Sequence, residues 1–129
     1  MVLDGYGIGE RAYVAVLDMP AVIPFATFDR KFTQVPRFPA VTRDISLVVP
    51  REISSGRIID VIEKNGGAIL EHCDLFDLYE GAQILAGYKS MAYTIRFRAK
   101  DKTLDENDIT PVMNQIMEGL KELGITLRQ

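Results

Sequence analysis

The chain has 129 residues, 47% apolar and 26% charged, with a formal net charge of -3 at pH 7. This length and mixture describe one compact domain, or one domain with an appendage, and fit a soluble globular chain. A single cysteine excludes an internal disulfide framework and fits a reducing compartment, no apolar run reaches the length of a membrane span, and the acidic balance excludes a chain-wide basic surface for nucleic acid.

Met1-Val2-Leu3-Asp4-Gly5 lacks the basic start and apolar run of a secretory signal. Gly5-Tyr6-Gly7-Ile8-Gly9 reads as a turn, because its glycine spacing is not GxGxxG and no strand precedes it. Residues 12–18 (Ala-Tyr-Val-Ala-Val-Leu-Asp) read as a strand apolar on both faces, which requires cover on both sides. Met19-Pro20-Ala21-Val22-Ile23-Pro24 allows a short helix at most, limited by Pro24. Phe25, Phe28, Phe32 and Phe38 punctuate the connection that follows. Residues 1–35 thus read as a strand-containing extension: the tail of a larger domain, or a self-contained preface to the next one.

After Pro36 and Pro39 the pattern tightens. Ile45, Leu47 and Val49 alternate with Asp44, Ser46 and Val48, a strand with one buried face. Ser54 is a helix N-cap, with Ile53 and Ile58 at the spacing of a hydrophobic staple, and Asn65-Gly66-Gly67 stops the helix. Residues 68–79 form a second strand whose alternation slips at Leu75-Phe76, the mark of a bulge or strong bend. Residues 80–87 connect to a third strand over 89–98. There Met91, Tyr93, Ile95 and Phe97 fall on one face, and Ser90, Ala92, Thr94, Arg96 and Arg98 on the other. Thr103 and Glu106 have capping-box spacing. Ile109, Val112, Met113, Ile116, Met117, Leu120 and Leu123 then make a helical stripe. Gly124 ends that helix and residues 125–128 form a short last strand. Pro111 is tolerable if the helix proper begins near Asp108, and would kink a helix begun at Thr103.

The order is βαββαβ. Right-handed crossovers place both helices on one face of a four-stranded antiparallel sheet, an α+β, ferredoxin-like sandwich. One sheet face stays open.

No catalytic signature stands out: there is no Walker loop, HExxH or CxxC. His72, with Glu71, Cys73 and Asp74 beside it on one strand, makes a poor metal cluster, since adjacent residues point to opposite faces. Cys73 reads as a buried thiol with no base beside it in sequence, and Asp105, Glu106 and Asp108 as helix-start acids. The open face remains. It gathers Asp44 and Ser46 from the first strand and Ser90, Ala92, Thr94, Arg96 and Arg98 from the third, with Lys89, Lys100 and Lys102 at its rim. Hydroxyls can bond base edges, and arginine can hold phosphate or stack on a base. Equally, this can be an ordinary solvated sheet face. It lacks the stacked aromatics of the common RNA-recognition version of the fold.

Four blocks in order carry a family resemblance. Val35-Pro36-Arg37-Phe38-Pro39-Ala40-Val41-Thr42-Arg43-Asp44-Ile45-Ser46-Leu47-Val48-Val49 resembles the opening of the ferredoxin-fold anticodon-binding domain of bacterial phenylalanyl-tRNA synthetase beta subunits. Leu75-Phe76-Asp77-Leu78-Tyr79-Glu80-Gly81 is similar to that family's LFDxYxG segment. The run from Gly87 through Lys89-Ser90-Met91-Ala92 to Phe97-Arg98 is similar to its GxKSLAxxxxFR strand, with Met91 for the usual Leu. Thr103-Leu104-Asp105-Glu106 resembles its TLTDEE helix start. Pro111 departs from the pattern.

The resemblance implies an anticodon-binding domain over 36–129, preceded by the tail of the catalytic-like domain and a linker over 1–35. It implies binding to the anticodon stem-loop of tRNA(Phe) through Arg43, Asp44, Ser46, Lys89, Ser90, Ala92, Thr94 and Arg96. Asp77 lies in a matching motif without an assigned role. The parent would be a cytoplasmic ligase of two alpha and two beta subunits, using ATP and magnesium at a catalytic site on the alpha subunit. This chain itself would hold no active site, metal or cofactor. The competing readings are a ferredoxin-like module that binds a regulatory small molecule and a dimerisation module.

Overall fold

A computed structural model describes residues 5–7, 9 and 12–128. The chain separates between Gln34 and Val35 into two units.

In the first unit, Tyr6 and Gly7 stand in a turn; Ile8, in the same glycine-rich stretch, lies outside the described residues, as do residues 1–4 and Arg11. Residues 12–18 do not form the expected strand. A strand apolar on both faces needs a layer on each side. Among its described residues this unit has a one-turn helix, Met19–Val22, and a 3-10 turn, Ile23–Phe25, and no strand.

The second unit begins with β1 (Val41–Pro50), followed by α1 (Ser55–Gly66), β2 (Leu70–Tyr79), β3 (Tyr88–Phe97), α2 (Glu106–Glu122) and β4 (Thr126–Leu127). The sheet is antiparallel in the order β2-β3-β1-β4, the ferredoxin-like topology. The β1–β3 ladder runs unbroken from Val41 opposite Phe97 to Pro50 opposite Tyr88. Ile45, Leu47 and Val49 therefore share a face with Met91, Tyr93, Ile95 and Phe97. All seven are buried against Ile58 and Ile62 of α1 and Ile109, Ile116 and Leu120 of α2.

Local chemistry sets the boundaries. The Ser54 hydroxyl accepts a hydrogen bond from the Arg57 amide at 3.4 Å, capping α1, while Ile53 packs on the core ahead of the buried Ile58. Gly67 ends α1 at φ 62, a conformation that favours glycine. The chain makes a 3-10 turn over Gly67–Ile69 before β2, so this strand starts at Leu70 and not at residue 68. At β3 the Tyr93 side chain is fully buried, and its hydroxyl meets Ser55 Oγ at 3.0 Å, so the one polar atom of that ring has a partner at the start of α1.

The cap of α2 differs from the spacing read in the sequence. Asp105, not Thr103, is the N-cap. Its carboxylate accepts from the Asp108 amide and the Asp108 carboxylate accepts from the Asp105 amide, each at 3.1 Å. Leu104 is buried, which turns the chain inward just before the helix and leaves Thr103 outside it. Glu106, freed from capping, pairs with Arg43, and Asp108 also pairs with Lys102. Pro111 lies inside α2 on its exposed side and withholds one helical hydrogen bond.

Two measurements test this packing. Phe97→Ala removes a fully buried ring and is expected to cost about 3–5 kcal/mol in a urea titration. The second concerns pH. Hydrogen bonds from Lys102 and from the Asp105 amide hold the Asp108 carboxyl below its ordinary value. A depressed folded-state value adds stability that is complete above the unfolded value of 3.8 and is lost as pH falls through the folded one. Asp108→Asn is therefore expected to flatten the fall in stability measured below about pH 4.

Candidate nucleic-acid interface

The face of the sheet opposite the helices is assembled by register. On β1 it presents Thr42, Asp44, Ser46 and Val48, which stand opposite Arg96, Thr94, Ala92 and Ser90 of β3. On β2, His72, Asp74, Asp77 and Tyr79 stand opposite Arg96, Thr94, Ala92 and Ser90. Six of the eight residues expected at the site, Asp44, Ser46, Ser90, Ala92, Thr94 and Arg96, are thus brought together.

The other two are not. Arg43 pairs in register with Ile95, and Lys89 with Val49, so both belong to the helix-side face at opposite ends of the ladder. Alternation along a strand sends Arg43 away from Asp44, and the Glu106 carboxylate at the start of α2 holds it there. Arg98 falls just past the end of β3. Its guanidinium bonds Glu71 at 2.7 Å and the Phe38 carbonyl at 2.6 Å, a structural tie between strand ends.

Among the residues that the sequence reading left out of the site, Tyr79 and Arg128 extend this face. The bulge between Leu75 and Asp77 puts one extra residue into β2. Leu75 remains opposite the buried Tyr93, yet Asp77 and Tyr79 emerge on the open side. Tyr79 thereby supplies an aromatic ring, 38% exposed, to a face expected to have none. Arg128 follows the two residues of β4, its amide bonding the Ser46 carbonyl at 2.8 Å. Its side chain reaches to β3, where Nη1 donates to Ser90 Oγ at 3.3 Å, and the guanidinium carbon stands 5.8 Å from the centre of the Tyr79 ring. Ser90 is only 5% exposed, although it lies on the open side. The slip at Leu75-Phe76 was the available signal for Tyr79, since one added residue inverts every later position of that strand.

The electrostatics are mixed, as the net charge requires. Thr94 Oγ1 donates to Asp44 at 2.6 Å, and His72 Nε2 lies 2.9 Å from Asp74. Arg96 is exposed and has no ion-pair partner among the described residues. Cys73 lies on the buried side, where desolvation first, and then Asp74 and Glu63, push its thiol up to about 11, so it is protonated near neutral pH. A ring with a guanidinium beside it, hydroxyls, carboxylates and the exposed Arg96 suit a flexible single strand better than a duplex.

Such a surface on such a sheet defines a ferredoxin-like α+β module with one face built and the other left open. Residues 36–128 match the family described as the ferredoxin-fold anticodon binding domain, and the chain belongs to that family. It is 39% identical over 128 residues to a phenylalanine–tRNA ligase beta subunit of Clostridium acetobutylicum, covering 98% of this chain and 16% of that protein. It is 41% identical over 128 residues to the beta subunit of Clostridium tetani, with the same shares of 98% and 16%. Against that of Symbiobacterium thermophilum it is 42% identical over 131 residues, 98% of this chain and 14% of that protein. The chain spans about a sixth of the length of these relatives.

Proposed function

We propose that this chain is the anticodon-binding end of a phenylalanine–tRNA ligase beta subunit and that its open sheet face receives the anticodon stem-loop of tRNA(Phe). The observation that carries this reading is the convergence of Tyr79, Ser90, Thr94, Arg96 and Arg128 on the one sheet face that no helix covers, in a chain of the anticodon-binding family. Tyr79, with Arg128 beside it, offers a stacking platform for an unpaired base. Asp44, Asp77, Ser46 and Thr94 offer donors and acceptors to base edges, the buried Ser90 supports the Arg128 guanidinium, Ala92 gives a flat floor, and Arg96 a phosphate contact. Arg43 and Lys89 enter only as cations at the rim.

Residues 1–35 then belong to the end of the preceding catalytic-like domain and its linker, and 36–129 to the binding domain. The parent assembly is a cytoplasmic heterotetramer with the alpha subunit, in which this domain holds one end of the tRNA while the other is charged with phenylalanine. ATP and magnesium belong to that parent. The described residues contain no group of three or more His, Cys, Asp or Glu suited to a metal, and no step through either is assigned to this chain. Among the described residues no helix is long and apolar enough to cross a membrane.

A second reading draws on β2, an edge strand on which Leu75, Phe76 and Leu78 are exposed. Such an edge suits pairing with another chain. If dimerisation is the role, sedimentation should show mass rising with concentration over the micromolar range; a constant monomer mass removes that reading.

The binding reading is tested by NMR titration with a tRNA(Phe) anticodon stem-loop and a scrambled-loop control. Shifts are expected at Asp44, Ser46, Tyr79, Thr94 and Arg96, larger for the cognate loop. Arg96→Ala is expected to weaken binding by about threefold to tenfold, the scale of one exposed phosphate contact, while the fold is retained. Equal shifts with both loops would reduce the face to non-specific binding, and none in the parent assembly would overturn the proposal.

A further inference from the structure

Gly81 lies two residues beyond Tyr79, at the start of the connection to β3. Its φ is not positive, so alanine there meets no left-handed strain and glycine is not needed for conformation. Glycine is needed for space. A Cβ at position 81 would stand 2.2 Å from Tyr79 Oη, 2.5 Å from Cζ and 3.0 Å from Cε1.

Something must yield, and the surroundings decide what. The backbone at 81 is tied forward by the Ile84 amide, which donates to the Gly81 carbonyl at 2.9 Å. On the other side Glu80 is paired with Arg51 at 2.8 Å. The Tyr79 atoms in question are the outer end of an exposed side chain with two free torsions, so the ring moves and the turn stays. A displaced ring leaves the Arg128 guanidinium and the place it occupies opposite Ser90.

We infer that Gly81 is a positioning residue for RNA binding: by having no side chain it leaves the volume in which the Tyr79 ring lies, and so sets the stacking platform on the open face. This rests on the proposed role of Tyr79. It predicts an unusual pair of effects. Gly81→Ala leaves folding stability unchanged, because only a surface ring shifts, yet weakens RNA binding almost as much as removing the ring does.

The test is a double-mutant cycle in the 129-residue chain: wild type, Tyr79→Ala, Gly81→Ala and the double variant, each titrated with a fluorescently labelled tRNA(Phe) anticodon stem-loop. Tyr79→Ala is expected to raise Kd roughly fivefold to a hundredfold, the range of one base–aromatic stack. Gly81→Ala should approach that loss, and the double variant should bind no worse than Tyr79→Ala alone. In the RNA-free Gly81→Ala protein the Tyr79 ring resonances should move while the thermal midpoint does not. If Tyr79→Ala weakens binding and Gly81→Ala does not, the inference fails and the reading of Tyr79 stands. If Tyr79→Ala has no effect, or wild type does not bind, the reading fails and takes the inference with it. Additive losses in the double variant would mean that Gly81 acts by some route other than the ring.

Discussion

The unbroken β1–β3 ladder at the centre of the sheet is the constraint from which the rest follows. Because side chains alternate strictly along both strands, one register decides two surfaces at once. It places Leu47, Tyr93 and Phe97 under the helices and, by the same pairing, sends Asp44, Ser46, Thr94 and Arg96 to the other side. A slip of one residue would bury Arg96 and Thr94 and expose Tyr93 and Phe97. The hydrophobic cost of that exchange makes the open surface as firmly specified as the core.

β2 shows how a fault in alternation becomes useful. Without the extra residue between Leu75 and Asp77, Tyr79 would lie on the helix side with Cys73. With it, the strand keeps Cys73 and Leu75 on the helix side and then presents Asp77 and Tyr79 to the open side. The bulge trades one rung of an edge ladder for an aromatic ring on the open face. At the far edge β4 is only two residues long, yet it sets the amide of Arg128 on Ser46, from where the side chain lies over the open face as far as Ser90. The two edges of the sheet thus meet over its centre through Tyr79 and Arg128.

Length bounds what this surface does. The family covers the second unit, while the curated relatives extend far beyond the chain. A mixed-charge face in a chain of net charge -3 has little long-range pull on RNA. The binding proposed for this face rests on stacking and short hydrogen bonds, so the exact lie of one ring matters to that proposal.

The order of strands and helices, the core stripes, the Ser54 cap and the slip at Leu75-Phe76 were legible in the sequence, because periodicity and capping are local and repeat within one element. The side of the sheet to which Arg43 and Lys89 belong was legible too, by strict alternation, but the family blocks drew them into the site. Residues 12–18 misled, since an apolar run signals a strand only where other strands exist to flank it. The α2 cap shifted to Asp105 and Asp108 because burial of Leu104, a tertiary event, decided where the helix begins. The partnership of Tyr79, Ser90 and Arg128 was decided by the tertiary structure alone. It joins β2 and β3 to the residue after β4, far along the chain, and only cross-strand register and the count of residues in a bulge bring the three within reach.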